Sequence, residues 1–92
     1  PTLFRSIRAG QPRIGVSPNP SHGTFDVKVE GCSSDYTITI LDITGKQILK
    51  HGPDNRKQEC QHRFMLPDLR KGLYILKYSG SNGVLTEKLI IE

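Results

Sequence analysis

An all-β fold, arranged as a two-sheet antiparallel β-sandwich of about seven strands, is what this sequence predicts. Three observations carry the expectation. Apolar residues recur at every second position in several short stretches, which is the period of a strand with one buried face. Those stretches are filled by β-branched, aromatic and aliphatic residues, and clusters of Gly, Pro, Asn, Asp and Ser separate them at short intervals. No segment of ten residues has helical spacing, and 92 residues suffice for one domain with one core.

Ile14 to Ser17 reads as a short first strand, ended by Pro18-Asn19-Pro20-Ser21-His22-Gly23. Ser17 and Asn19 each precede a proline and are biased to extended backbone, while Pro18 and Pro20 have no N–H to give a sheet ladder. The chain therefore leaves its sheet there, and Gly23 can take the left-handed position that completes the corner. Phe25, Val27 and Val29 then alternate with Asp26, Lys28 and Glu30 as a second strand. Tyr36, Ile38 and Ile40 alternate with Thr37, Thr39 and Leu41 as a third. Asp42-Ile43-Thr44-Gly45 supplies a carboxylate that can bond the backbone ahead of it and a glycine for positive φ, so a hairpin should return through Gln47 to Lys50. His62 to Leu66 is a strand stopped by Pro67, and Asp68-Leu69-Arg70-Lys71-Gly72 connects it tightly to Leu73 to Ser79. Ser79-Gly80-Ser81-Asn82-Gly83 is rich in turn formers and joins that strand to Val84 through Ile91.

Charge narrows the function classes. The formal net charge is +4, but Arg5, Arg8 and Arg13 account for three of the 13 bases and stand where there is no acid, leaving 10 bases against 9 acids from Ile14 to Glu92. No aromatic residues interleave with bases, so a nucleic-acid surface is not expected. Lys46, Lys50, Arg56, Lys57, Arg70 and Lys71 are expected as solvated turn charges, some able to steer an acidic partner. No apolar run approaches the roughly 20 residues of a membrane span. The start Pro1-Thr2-Leu3 lacks a Met and a leader, so the chain is expected to be a piece of a longer protein.

Catalytic chemistry has no foothold in the pattern. His22, His51 and His62 lie far apart and are expected at the surface or in turns, and there is no glycine-rich nucleophile elbow, phosphate loop or HExxH helix. Without paired CxxC spacing no metal is expected, and no cofactor. Cys32 and Cys60 sit near strand ends where a disulfide can form if their Cα atoms approach. Such a bridge would close a loop of roughly 29 residues, worth about 3 to 4 kcal/mol of chain entropy. Spacing alone leaves bridged and free thiols both open.

Four motifs in fixed order resemble a known module. They are Pro18-Asn19-Pro20 with Gly23, then Asp42-Ile43-Thr44-Gly45-Lys46, then Leu69-Arg70-Lys71-Gly72-Leu73-Tyr74, and finally Thr86-Glu87-Lys88-Leu89-Ile90-Ile91. Together they resemble the C-terminal sorting domain of type IX secretion cargo, the type A family, over Ile14 to Glu92. Pro1 to Arg13 resembles the variable linker from a preceding cargo, with Arg8-Ala9-Gly10-Gln11 as a cleavage candidate. The resemblance implies an Ig-like sandwich without catalytic activity that addresses its cargo to an outer-membrane secretion translocon. It also implies transit through the periplasm and an end point at the cell surface, on the outer membrane, or secreted. In many members a sortase-like cysteine peptidase removes the domain and joins the cargo to anionic lipopolysaccharide; some members keep it.

Carried onto this sequence, recognition by translocon or sortase maps to Gly72, Tyr74, Lys88, Leu89, Ile90, Ile91 and Glu92. Pro18, Asn19, Pro20, Gly23, Asp42 and Gly45 are expected to be structural. Tyr74 shares a strand face with Leu76 and Tyr78, and a core position with its hydroxyl bonded to backbone is the expectation for it. Leu89 and Ile91 lie on one strand face and Lys88 and Ile90 on the other, which leaves two readings of the last strand. It is either a central strand buried on both faces or an edge that a receptor extends by main-chain pairing, with Leu89 or Ile91 in receptor pockets. An open edge would also allow a homodimer by strand pairing or swapping. The alternatives to a sorting signal are an Ig-like adhesion or ligand-binding module and a surface domain sensed by a signalling receptor.

Overall fold

The computed structural model describes residues 12–52 and 60–92. The expected linker, apart from Pro12 and Arg13, lies outside the described residues, as do the cleavage candidate and the charges Arg56 and Lys57. Seven strands are present: β1 (Arg13–Ser17), β2 (Thr24–Glu30), β3 (Thr37–Asp42), β4 (Gln47–His51), β5 (Cys60–Met65), β6 (Gly72–Gly80) and β7 (Gly83–Ile91). They form a three-stranded sheet in the order β1-β2-β5 and a four-stranded sheet in the order β4-β3-β6-β7, every ladder antiparallel. This is the two-sheet sandwich that the alternation implied, in the Ig-like form that the resemblance implied.

Burial follows the period of two. Phe25, Val27 and Val29 of β2, Ile38 and Ile40 of β3, Leu76 and Tyr78 of β6, and Leu89 and Ile91 of β7 fill the space between the sheets, joined by Tyr36 and Phe64. Phe25 and Phe64, opposite each other in the β2–β5 ladder, place their ring centroids 5.6 Å apart. Tyr36 stacks on Tyr78 at 5.8 Å.

The turns use the residues that the sequence singled out. Asp42 Oδ1 accepts from the Thr44 N–H at 2.9 Å, the Thr44 hydroxyl at 2.6 Å and the Lys46 N–H at 2.9 Å, while Gly45 takes φ of 91°. Those donors, the Thr44 hydroxyl foremost, hold the Asp42 carboxyl below the usual carboxylate range. At the far end of the same sheet, the Tyr78 hydroxyl donates to Asn82 Oδ1 at 2.7 Å and accepts from the Ser33 N–H at 2.9 Å. Asn82 Nδ2 in turn donates to the Gly31 carbonyl at 2.7 Å. The β6–β7 turn is thus tied to the β2–β3 connection.

Several details depart from the expectations. β5 begins at Cys60 rather than His62, because the ladder with β2 continues to the Val29–Cys60 pair, beyond the stretch where apolar alternation is visible. Two of the three histidines are not surface groups. His62 lies between Cys60 and Phe64 on the inward face of β5, and His51 pairs with the inward-facing Ile38; both are half-buried with ring centroids 4.3 Å apart. An imidazole tolerates this position because its ring packs like an aromatic while a nitrogen finds a partner: His62 Nε2 hydrogen-bonds the Tyr36 hydroxyl. Lys50 is not in a turn but within β4, paired with Thr39. Cys32 and Cys60 form a disulfide with Cα atoms 6.4 Å apart. It links the chain just past β2 to the start of β5.

Candidate functional site

The terminal strand is an edge strand. β7 pairs with β6 over its whole length and, among the described residues, has no ladder partner on its other side. The expectation of a central strand buried on both faces is therefore not met: Leu89 and Ile91 are buried, whereas Lys88 and Ile90 lie on an exposed face. β7 pairs last in chain order and adds to the rim of a sheet whose centre β3 and β6 already occupy. Only the alternate residues can then reach the core.

Its outer edge is nevertheless closed at one end. The corner at residues 18–23 lies against Lys88 to Glu92 and hydrogen-bonds to it from both side chain and backbone. Asn19 Nδ2 donates to the Lys88 carbonyl at 2.6 Å, and Asn19 Oδ1 accepts from the Ile90 N–H at 2.9 Å. One side-chain amide thereby does what a neighbouring strand's peptide group would do. Ser21 continues the clasp with its main chain: its N–H donates to the Ile90 carbonyl and its carbonyl accepts from the Glu92 N–H, each at 2.8 Å. Ser21 and Ile91 form an isolated parallel bridge. His22 Nδ1 lies 3.1 Å from the Glu92 main-chain oxygen.

The local sequence explains why the corner can do this. Pro18 and Pro20 bring no N–H that could compete for the carbonyls of β7, and they keep the corner from becoming a strand of its own. Both peptide bonds that precede them, Ser17–Pro18 and Asn19–Pro20, are cis. Ser21 is 1 % exposed and fixes the next turn, its Oγ accepting from the Gly23 N–H at 2.9 Å and donating to the Thr24 carbonyl at 3.1 Å. Gly23 has φ of 113°, and a Cβ there would stand 2.8 Å from the Leu66 carbonyl oxygen. That carbonyl belongs to the segment just past β5. The Leu66 N–H donates to the Gly23 carbonyl at 2.7 Å, so the close approach is a paired one.

All four family-like motifs converge here. In the ladders Asp42 pairs with Tyr74, Tyr74 with Leu89, and Gly72 with Ile91, so the β3–β4 hairpin, the start of β6 and the end of β7 form one end of the four-stranded sheet. The PNP corner completes it from the side. Tyr74 is 8 % exposed and its hydroxyl donates to the Arg70 carbonyl at 2.8 Å, four residues upstream. That is the tyrosine corner of Ig-like sandwiches, which pins the connection between β5 and β6 to the sheet. Gly72 is exposed beside it. Leu89 and Ile91 are 0 % and 3 % exposed, so in the folded domain they serve the core; Lys88, Ile90 and Glu92 are the tail residues a partner can touch. The disulfide lies at the opposite end, where β5 starts.

Sequence reasoning named Gly72, Tyr74 and Lys88 to Glu92 as recognition residues and expected Tyr74 in the core, but it left the last strand's place in the sheet open and missed the clasp. An available signal was Asn19 itself, a side chain with both donor and acceptor set between two residues that have no N–H. Among the described residues there is no group of three or more His, Cys, Asp or Glu side chains placed to share an ion, and no helix long and apolar enough to cross a membrane.

The family model described as "Secretion system C-terminal sorting domain" matches residues 15–92, from β1 through the clasped tail. No curated protein matches the chain.

Proposed function

Because the chain belongs to the secretion system C-terminal sorting domain family, a group of type IX secretion signals, we propose that the clasped end of its four-stranded sheet is the part the export machinery reads. A signal of this kind sends its cargo across the outer membrane to the cell surface or into the medium. In this chain the address consists of Lys88, Ile90 and Glu92, presented on a tail whose backbone Asn19 and Ser21 hold in one position. Leu89, Ile91, Gly72 and Tyr74 contribute by fixing that position, and the domain itself catalyses no reaction. The observation that carries the reading is the pair of hydrogen bonds from one exposed Asn side chain to Lys88 and Ile90. Those bonds hold the outer side of the edge strand at the tail and so fix the position in which Lys88, Ile90 and Glu92 are presented.

The remaining steps follow from the same reading. The cargo precedes the linker of residues 1–13, the domain meets its outer-membrane translocon from the periplasm, and a sortase-like cysteine peptidase then removes it and attaches the cargo to anionic lipopolysaccharide. The test fuses the 92-residue chain to a periplasmic passenger in cells with and without a working translocon. Deleting Lys88 to Glu92 also removes core residues, so the decisive variant is Lys88→Glu with Ile90→Ser, which leaves the core intact. Surface delivery should require the translocon and fail in the variant, while the variant's thermal unfolding midpoint stays near that of the parent. Delivery that survives the double substitution refutes the proposed address. A folded passenger fusion that never leaves the periplasm favours an adhesion or ligand-binding module instead.

A further inference from the structure

The two outward faces of the sandwich differ in chemistry. On the three-stranded sheet the ladder sets Arg13 opposite Glu30 and Asp26 opposite Arg63, with Lys28 opposite Gln61. Arg63 Nε donates to Asp26 Oδ1 at 2.9 Å, a pairing that lowers the Asp26 pKa. Among the described residues, three bases there stand among two acids, and Met65 is the one large apolar side chain exposed on the strands of that face. On the four-stranded sheet, the register places Lys50, Thr39, Lys77 and Thr86 in one row. The next row holds Leu41, Ile75 and Lys88, and the one after it Leu73 and Ile90. Among the described residues no strand residue of that face is an acid; Glu92 comes one residue past its end. Leu73 and Ile90 are 41 % and 39 % exposed.

From this asymmetry we infer that the outer face of the four-stranded sheet is a docking surface for a protein partner, one that sets carboxylates around an apolar contact. The inference rests on the sorting reading and extends the address from the tail to the face beside it. Charge complementarity names the partner: Lys50, Lys77 and Lys88 flank Leu41, Leu73, Ile75 and Ile90 without a carboxylate among them, which is the layout of an apolar centre with a charged rim. A protein surface fits better than a lipid one. The apolar side chains are more than half shielded and lie flush with a sheet, whereas membrane anchoring requires an apolar face that sinks about 5–10 Å into the headgroup boundary.

The experiment uses the passenger fusion with Lys50→Glu and Lys77→Glu together, both outside the tail. Lys28→Glu with Arg13→Glu serves as a control of equal charge change on the opposite sheet. Placing like charges against an acidic partner should lower surface delivery by at least about tenfold, with the control delivering as the parent does and all unfolding midpoints similar. A photo-crosslinking residue at position 77 should form an adduct with a protein in exporting cells, and one at position 28 should not. If Lys50→Glu/Lys77→Glu exports normally while Lys88→Glu/Ile90→Ser fails, the docking face is refuted and the tail reading stands. If both variants export normally, both readings are refuted. If the 92-residue chain sediments with vesicles of phosphatidylcholine and phosphatidylglycerol and the Lys50→Glu/Lys77→Glu chain does not, a lipid surface replaces the protein partner and the inference is overturned.

Discussion

Replacing Asn19 by alanine removes two hydrogen bonds from the end of β7 without opening a cavity, because the side chain is exposed. Such bonds contribute about 0.5–1.5 kcal/mol net each, and water can reach the freed groups, so the total loss should be about 1–2 kcal/mol. For a domain of this size that lowers the thermal midpoint by about 5–15 °C. The local effect is more diagnostic than the global one. The Ile90 amide donates to Asn19 Oδ1, and its hydrogen exchange should accelerate about 5–30-fold, the factor that 1–2 kcal/mol represents. Asn19→Asp keeps the acceptor and loses the donor, so Ile90 should exchange more slowly in that variant than in Asn19→Ala. Measured by NMR on the folded domain, an Ile90 exchange rate in Asn19→Ala equal to that of the parent would show that the clasp does not hold the tail.

Three further outcomes test the rest of the scaffold. Gly23→Ala forces a side chain into positive φ and against the Leu66 carbonyl, and should cost more than about 1 kcal/mol in urea unfolding; a neutral result would show that the corner relaxes. Converting Cys32 and Cys60 together to serine should lower stability by about 3–4 kcal/mol, with the reduced parent matching the variant in the same denaturation curve. The Asp42 carboxyl is held below its ordinary pKa by Thr44 and Lys46, so its contribution is present above the unfolded-state value and is lost as pH falls through the folded one. Asp42→Asn should therefore flatten the decline in stability below about pH 4, read as unfolding midpoint against pH.

How much was legible follows from the range of each interaction. The alternation in Phe25–Glu30 and Tyr36–Leu41 and the turn at Asp42–Gly45 are decided by neighbours within a few residues, so their strands, inward faces and hairpin emerge from sequence alone. Tyr74 was placed in the core for the same reason: its hydroxyl reaches a carbonyl only four residues away. The clasp is different. Asn19 meets Lys88 and Ile90 across about 70 positions, and no local pattern encodes a contact of that separation. His62 and His51 were misplaced because polarity suggested exposure, whereas the period of two puts them inward and Tyr36 satisfies one ring. Whether Cys32 and Cys60 meet depended on the Val29–Cys60 pairing, which extends the β2–β5 ladder past the visible apolar pattern.

Residues near opposite ends of the chain close on one another at the PNP corner. A receptor that reads the held tail consequently reads a completed fold: a nascent or unfolded copy contains the same letters but not the joined surface, and a short peptide of the last five residues would be mute. On that reading, recognition of the tail would also report that the fold is complete.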